Sequence, residues 1–140
     1  MLHFRRRAGQ ALVEFTLIVV VLFLLMAGTV DVARLVTAYT YLNNAAQEGA
    51  IYGAMYPAQV ADIQARVQES VKSLFPDPTT LTITVSYHTQ PCPGHLIQVD
   101  VSAPVTLIFP FAEVFVSGRQ VLLHTSAQQL ILTSNVPTCP

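Results

Sequence analysis

Charge is scarce in this chain. Of 140 residues only 11% are charged, less than half of the roughly 25% usual in soluble domains. Seven Lys and Arg face eight Asp and Glu, a formal net charge of −1, so no basic field draws the chain to nucleic acid. Glycine is sparse and forms no phosphate-cradling loop, and there is no nucleophile-elbow motif. Asp100 and Glu113 are not spaced as an acid–base pair. The length excludes a two-domain enzyme and the composition excludes a disordered chain. Nothing argues for an enzyme or for a bound cofactor. Proline is absent between residues 10 and 56, so no kink is expected there.

What the sequence has instead is apolarity, 52% of residues, and it is concentrated. Phe15 to Val30 is a run without a charge, and Ala11 to Glu14 extends it. Twenty residues of helix span about 30 Å, the thickness of a bilayer core. Arg5, Arg6 and Arg7 precede the run and no comparable basic cluster follows it. By the positive-inside rule the N-terminus is expected in the cytoplasm and residues 31–140 outside. A cleaved secretory signal is the competing possibility. Its apolar region is about 7–15 residues long and ends in a small-x-small site; the run here is longer, and Met26-Ala27-Gly28 and Asp31-Val32-Ala33 are poor cleavage sites. Glu14 is the anomaly. A carboxylate within a membrane helix either snorkels to the interface or needs a cationic partner.

Arg7-Ala8-Gly9-Gln10-Ala11-Leu12-Val13-Glu14-Phe15 resembles the processing site of type IV prepilins. There a basic leader ends in glycine, a peptidase cuts after it, and glutamate is fifth in the mature chain, followed by an aromatic. Leu42-Asn43-Asn44-Ala45-Ala46-Gln47-Glu48-Gly49-Ala50 resembles the segment beyond the span in TadE-like proteins, the pseudopilins or minor pilins of the tight adherence (Tad) pilus system. The resemblance implies a cut between Gly9 and Gln10. It also implies an assembly role for Glu14 and Phe15, with Glu14 meeting the N-terminal amine of a neighbouring subunit. The partners it implies are a prepilin peptidase, other pilin subunits, the inner-membrane assembly machinery and the lipid bilayer. The implied location is the bacterial inner membrane, with possible export into an adhesive pilus. The alternative is an uncleaved single-span protein with an outer adaptor domain. Cleavage would leave four Lys and Arg against eight Asp and Glu, a side-chain charge of −4.

The expected organisation is a leader (1–9), a membrane helix (10–30), its extension (31–57) and an outer domain (58–140). In the extension, Asp31 and Arg34 have the i,i+3 spacing of an ion pair. Leu35, Tyr39, Leu42 and Ala46 read as an apolar stripe. Ala45, Gly49 and Gly53 form one ridge of small residues, and Ala46, Ala50 and Ala54 an adjacent one. Such ridges let another backbone approach closely, either the chain's own second helix and sheet or a neighbouring subunit.

Beyond Pro57 the spacing of Val60, Ile63, Val67, Val71 and Leu74 predicts an amphipathic helix over 58–74. Asp62–Arg66 and Glu69–Lys72 are its expected ion pairs, and Pro76 and Pro78 follow it. Alternation then predicts strands from Leu81 to Tyr87, from Ile97 to Ala103 and from about Gln120 to Leu132. Pro104 marks an edge, a bulge or a strand end. Short connections make the three strands an antiparallel meander, giving an α+β fold with a long N-terminal helix.

With that topology, loop 88–95 and the C-terminal tail share the end distal to the membrane. This predicts a disulfide between Cys92 and Cys139, the alternative being two free thiols. A zinc site from His88, Cys92, His95 and Cys139 fits no common ligand spacing, so no metal is expected. The aromatic run from Phe109 to Val116 is expected at the membrane-proximal end.

Overall fold

The computed structural model describes residues 3–109, 113 and 117–133. Helix α1 runs from His3 to Met55 without interruption, about 80 Å at 1.5 Å per residue. Helix α2 (Val60–Val71) returns beside it. Strands β1 (Thr82–Tyr87), β2 (Leu96–Thr106) and β3 (Gln120–Leu130) follow. They form one antiparallel sheet in the order β1-β2-β3. The class is α+β, as the periodicities predict. α1 lies over β2 and β3, and α2 packs against α1 and reaches β1.

The two halves of α1 differ in what surrounds them. From residue 10 to residue 30 the helix touches almost nothing of its own chain, and its large apolar side chains are exposed. Beyond it, Leu42, Ala45, Ala46 and Ala50 are buried against Ile63, Val67 and Val71 of α2. Ile97, Val99, Val101 and Ala103 of β2 complete the centre of the core. The buried face of α1 is thus mostly alanine and glycine, and the large apolar residues come from α2 and the sheet. A methyl group at Gly49 would lie 2.5 Å from Val67 Cγ2, and one at Gly53 would lie 2.5 Å from Ile97 Cδ1. Both small-residue ridges are occupied by the chain's own second helix and sheet.

Several local expectations are corrected. Of the stripe expected on α1, Leu42 and Ala46 are buried and Leu35 is half-buried, but Tyr39 is about half exposed and its neighbour Ala38 is buried in its place. α2 is shorter than predicted, and Val60 and Leu74 remain exposed at its ends. Its Arg66 turns from Asp62 to Glu48 of α1, 3.6 Å away, and lies 5.4 Å over the Tyr52 ring. The hydroxyl of Ser70 donates to the same Glu48. A carboxylate on the packed neighbour helix outcompetes the one on the same helix. Glu69–Lys72 is paired at 3.1 Å.

Pro104 lies inside β2, opposite Leu122, and the ladder explains why it is tolerated. The Leu107 amide donates to the Arg119 carbonyl and the Ile131 amide to the His95 carbonyl. Odd-numbered residues of β2 therefore bond towards β3, and even-numbered ones face β1. β1 begins opposite Ser102. The missing N–H of Pro104 thus falls on an open edge, where no ladder bond is lost.

Candidate functional site

Two places on α1 carry the features that point to function: its N-terminal segment and the point where it leaves the apolar span. At the first, the helix passes through Gly9 and Gln10 without a break, and Gly9 has no neighbour within 4 Å of an added methyl. The Gln10 amide donates to the Glu14 carboxylate at 3.2 Å, and Phe15 is 67% exposed. The residues expected at the processing and assembly site are thus brought to one exposed helical turn and a half. The helix satisfies its own backbone and covers none of this surface, as a segment surrounded by lipid or by other helices requires. Thr16 and Thr29 return their hydroxyls to the carbonyls of Leu12 and Leu25, both at 2.8 Å.

The second place is Asp31, the first residue after the span. Its side chain is buried, and its two oxygens accept from the backbone amides of Ile108 at 3.0 Å and Phe109 at 2.8 Å. From the other side, the Arg119 guanidinium donates to the carbonyls of Leu107 and Ile108 at 3.2 and 3.1 Å. The chain leaving β2 is therefore held by a carboxylate at its amides and by a cation at its carbonyls. Arg119 follows Gly118, and both have positive φ, 76° and 55°. For an arginine this backbone is unfavourable by about 1 kcal/mol or more; the two guanidinium bonds and the Leu107 bond to its carbonyl hold it there. The Ile108 and Phe109 amides hold the Asp31 carboxyl below its ordinary value of 3.8. Burial acts against them, and Arg34 and Arg119 add smaller attractions.

The expected Asp31–Arg34 ion pair does not form as a direct contact: the Asp31 oxygens accept from the loop amides, and Arg34 adds only a smaller attraction. Sequence reasoning missed this clamp because the partners of Asp31 are main-chain groups 77 and 78 residues away, which leave no side-chain pattern to read. An aspartate immediately after an apolar run is the signal the sequence offers. Phe109 reaches the foot of the domain beside α1. The rest of the aromatic run, including Phe111 and Phe115, lies outside the described residues apart from Glu113.

At the distal end, the Leu132 amide donates to the Ala54 carbonyl and the Gly94 amide to the Ile131 carbonyl. Loop 88–95, the end of β3 and the end of α1 thus meet. Cys92 is buried and disulfide-bonded; its expected partner, Cys139, lies outside the described residues. His95 Nδ1 bonds the Thr89 hydroxyl. Among the described residues no three His, Cys, Asp or Glu side chains converge as metal ligands. His124 stands on the open sheet face, 3.8 Å from Asp100, whose two oxygens accept from the Gln98 amide at 2.9 Å.

A long apolar helix, bare over its first half, becomes the spine of a small antiparallel α+β domain. Among the described residues one helix, near the N-terminus, is long and apolar enough to cross a membrane. The family model of the TadE-like protein matches residues 9–50. That stretch holds Gly9 to Phe15, the apolar run and the Asn43-Asn44-Ala45-Ala46 segment, so the match bears out the resemblance to TadE-like proteins over those residues. No curated protein and no solved structure matches the chain.

Proposed function

We propose that this chain is a TadE-like pseudopilin or minor pilin of a Tad-type pilus, a structural subunit and not an enzyme. In this reading it is inserted in the inner membrane through residues 10–30, with the sheet domain outside. A prepilin peptidase cuts it after Gly9, and it assembles with other pilin subunits through its N-terminal helix. The observation that carries the reading is the coincidence of the family match at residues 9–50 with a helix whose first half is bare and whose second half organises the domain. Such a helix is built to be covered by something other than its own chain.

Glu14 then has a physical role. Cutting frees the Gln10 amine, and a carboxylate at low dielectric attracts an amine of a neighbouring subunit strongly, whereas an unpaired charge there is unfavourable. The pair would set the axial register of assembly. Phe15 beside it would fill space between helices. We further propose that Cys139 is the partner of Cys92, tying the C-terminal tail to loop 88–95.

Intact mass of the protein from cells with an active prepilin peptidase tests the cut: loss of residues 1–9 with Gln10 first is expected. Retention of Met1 in such cells would replace this reading with that of an uncleaved single-span adaptor. Glu14→Ala is expected to insert normally and to fail to co-assemble with partner pilins. Normal co-assembly of that variant would remove the proposed role of Glu14.

A further inference from the structure

Under the end of α2 lies a cleft of about 490 Å³ that the subunit reading leaves unused. Its walls are Val30 and Ala33 of α1, Leu74 and Phe75 after α2, and Pro104 and Val105 of β2, with Arg34 and Thr37 among them. It opens along the part of β2 that β1 does not cover. Thr37 returns its hydroxyl to the Ala33 carbonyl. Arg34 is exposed and makes no hydrogen bond or ion pair among the described residues. Its electrostatic neighbour, Asp31, has its oxygens committed to the Ile108 and Phe109 amides. Among the described residues the Arg34 guanidinium thus stands exposed on the rim of an apolar cleft with no hydrogen-bond partner.

The depth of the cleft limits what fills it. A bilayer core is about 30 Å thick and the whole bilayer about 40–45 Å, which leaves roughly 5–7 Å of headgroup layer on each side. Arg34 stands four residues beyond Val30, about 6 Å along the helix. The guanidinium is therefore at phosphate level when the span ends at Val30. An apolar helix placed in the cleft would bury that cation without a partner, which is unfavourable. A second upright copy would bring its own Asp31 to this depth, already engaged with its own loop amides. A phosphate satisfies the guanidinium with charge-assisted bonds, and the carbons attached to it suit the apolar walls.

We propose that the cleft binds one acidic phospholipid of the outward-facing leaflet, its phosphate on Arg34 and its glycerol and first methylenes against Val30 and Ala33. The inference rests on the reading that residues 10–30 span the membrane with the sheet outside.

The test uses the full chain in bilayers of equal parts phosphatidylcholine and phosphatidylglycerol, followed by native mass spectrometry of the released protein with its bound lipid. Wild type is expected to retain phosphatidylglycerol over phosphatidylcholine by about tenfold, because both lipids offer Arg34 a phosphate but the choline cation of the second is repelled by the guanidinium. Arg34→Gln is expected to lose that preference. Ala33→Leu, at an exposed position lining the cleft, is expected to reduce retention of both lipids. An unchanged preference in Arg34→Gln overturns the proposal. So does displacement of the lipid by inorganic phosphate, which would make the site a simple anion site. So does a protein dimer in place of the lipid complex that Ala33→Leu abolishes. Protease added outside sealed vesicles separately reports whether the sheet domain is exposed there. Protection of the domain would sink the membrane reading itself, whereas digestion with no lipid preference sinks only the lipid site.

Discussion

Gly49 and Gly53 of α1 look alike in the sequence, and their surroundings predict opposite tolerance to a methyl group. Replacing a helical glycine by alanine is worth about 1 kcal/mol in helix propensity. Against that stands the space available. Carbon atoms pack best at about 3.5–4.0 Å, and a methyl at Gly49 would sit 2.5 Å from Val67 Cγ2 and 3.4 Å from Val99 Cγ1. Val67 is fully buried and has a single side-chain torsion with one preferred setting in a helix. Its methyl moves only if the whole side chain turns or the helices part by about 1 Å. Overpacking of this kind costs about 1–3 kcal/mol, and the stiffness of valine places Gly49→Ala at the upper end. At Gly53 the obstructing atoms are Ile97 Cδ1 at 2.5 Å and Ile63 Cδ1 at 3.0 Å. Both are the far ends of longer side chains that swing about a second torsion, so the lower end applies and nearly cancels the propensity gain. The net expectation is a loss of about 1–2 kcal/mol for Gly49→Ala and about zero for Gly53→Ala. At about 4 °C per kcal/mol for a domain of this size, Gly49→Ala should melt about 4–8 °C lower than wild type. The assay is a thermal melt of the full chain in detergent, followed by near-ultraviolet dichroism of the outer-domain tyrosines. Gly28→Ala, with open space around it, serves as the control and should leave that melt unchanged. A Gly49→Ala protein as stable as wild type, or less affected than Gly53→Ala, would refute the packing argument.

Three further outcomes follow from other sites. The Asp31 carboxyl should titrate with a midpoint below 3.8 by carbon NMR; because its folded value is depressed, the clamp stabilises at neutral pH and is lost as pH falls through that midpoint. A midpoint at or above 3.8 would contradict the two amide bonds. Thr125 is buried with its hydroxyl unpartnered among the described residues, so Thr125→Val, which keeps the branched shape, should raise stability by about 1 kcal/mol; a lower melting temperature would show that the hydroxyl has a partner. Finally, non-reducing mass spectrometry of alkylated protein should find neither Cys92 nor Cys139 modified, and two modified thiols would remove the proposed bond between them.

The elements were legible where one physical rule dominates locally. The apolar run, the fourfold spacing of Ile63, Val67 and Val71, and the alternation around Ile83, Val99 and Leu123 each specify an element by period alone. What periodicity does not carry is which neighbour wins a contest between local and distant partners. Arg66 had Asp62 one turn away and took Glu48 on another helix. Asp31 had Arg34 in reach and took two amides from the far end of β2. Tyr39 fits an apolar stripe by spacing, yet the face that packs is the one with the smallest side chains, because α2 and the sheet come close to the helix backbone. The candidate site divides in the same way. The Gly9–Phe15 segment is a local motif and could be read directly, whereas the clamp at the foot of the domain exists only through tertiary contacts.

The continuity of α1 has a consequence for geometry at a distance. With no break from His3 to Met55, the direction in which Glu14 projects and the direction in which the sheet projects are locked in phase. Each residue turns the helix by about 100° and advances it by about 1.5 Å. Inserting one residue between Leu17 and Ala27 would therefore leave the span apolar and the domain folded. It would nevertheless swing the sheet by about 100° in azimuth relative to Glu14. In the proposed assembly the bare half of the helix acts as an angular gauge, setting where the sheet points relative to Glu14.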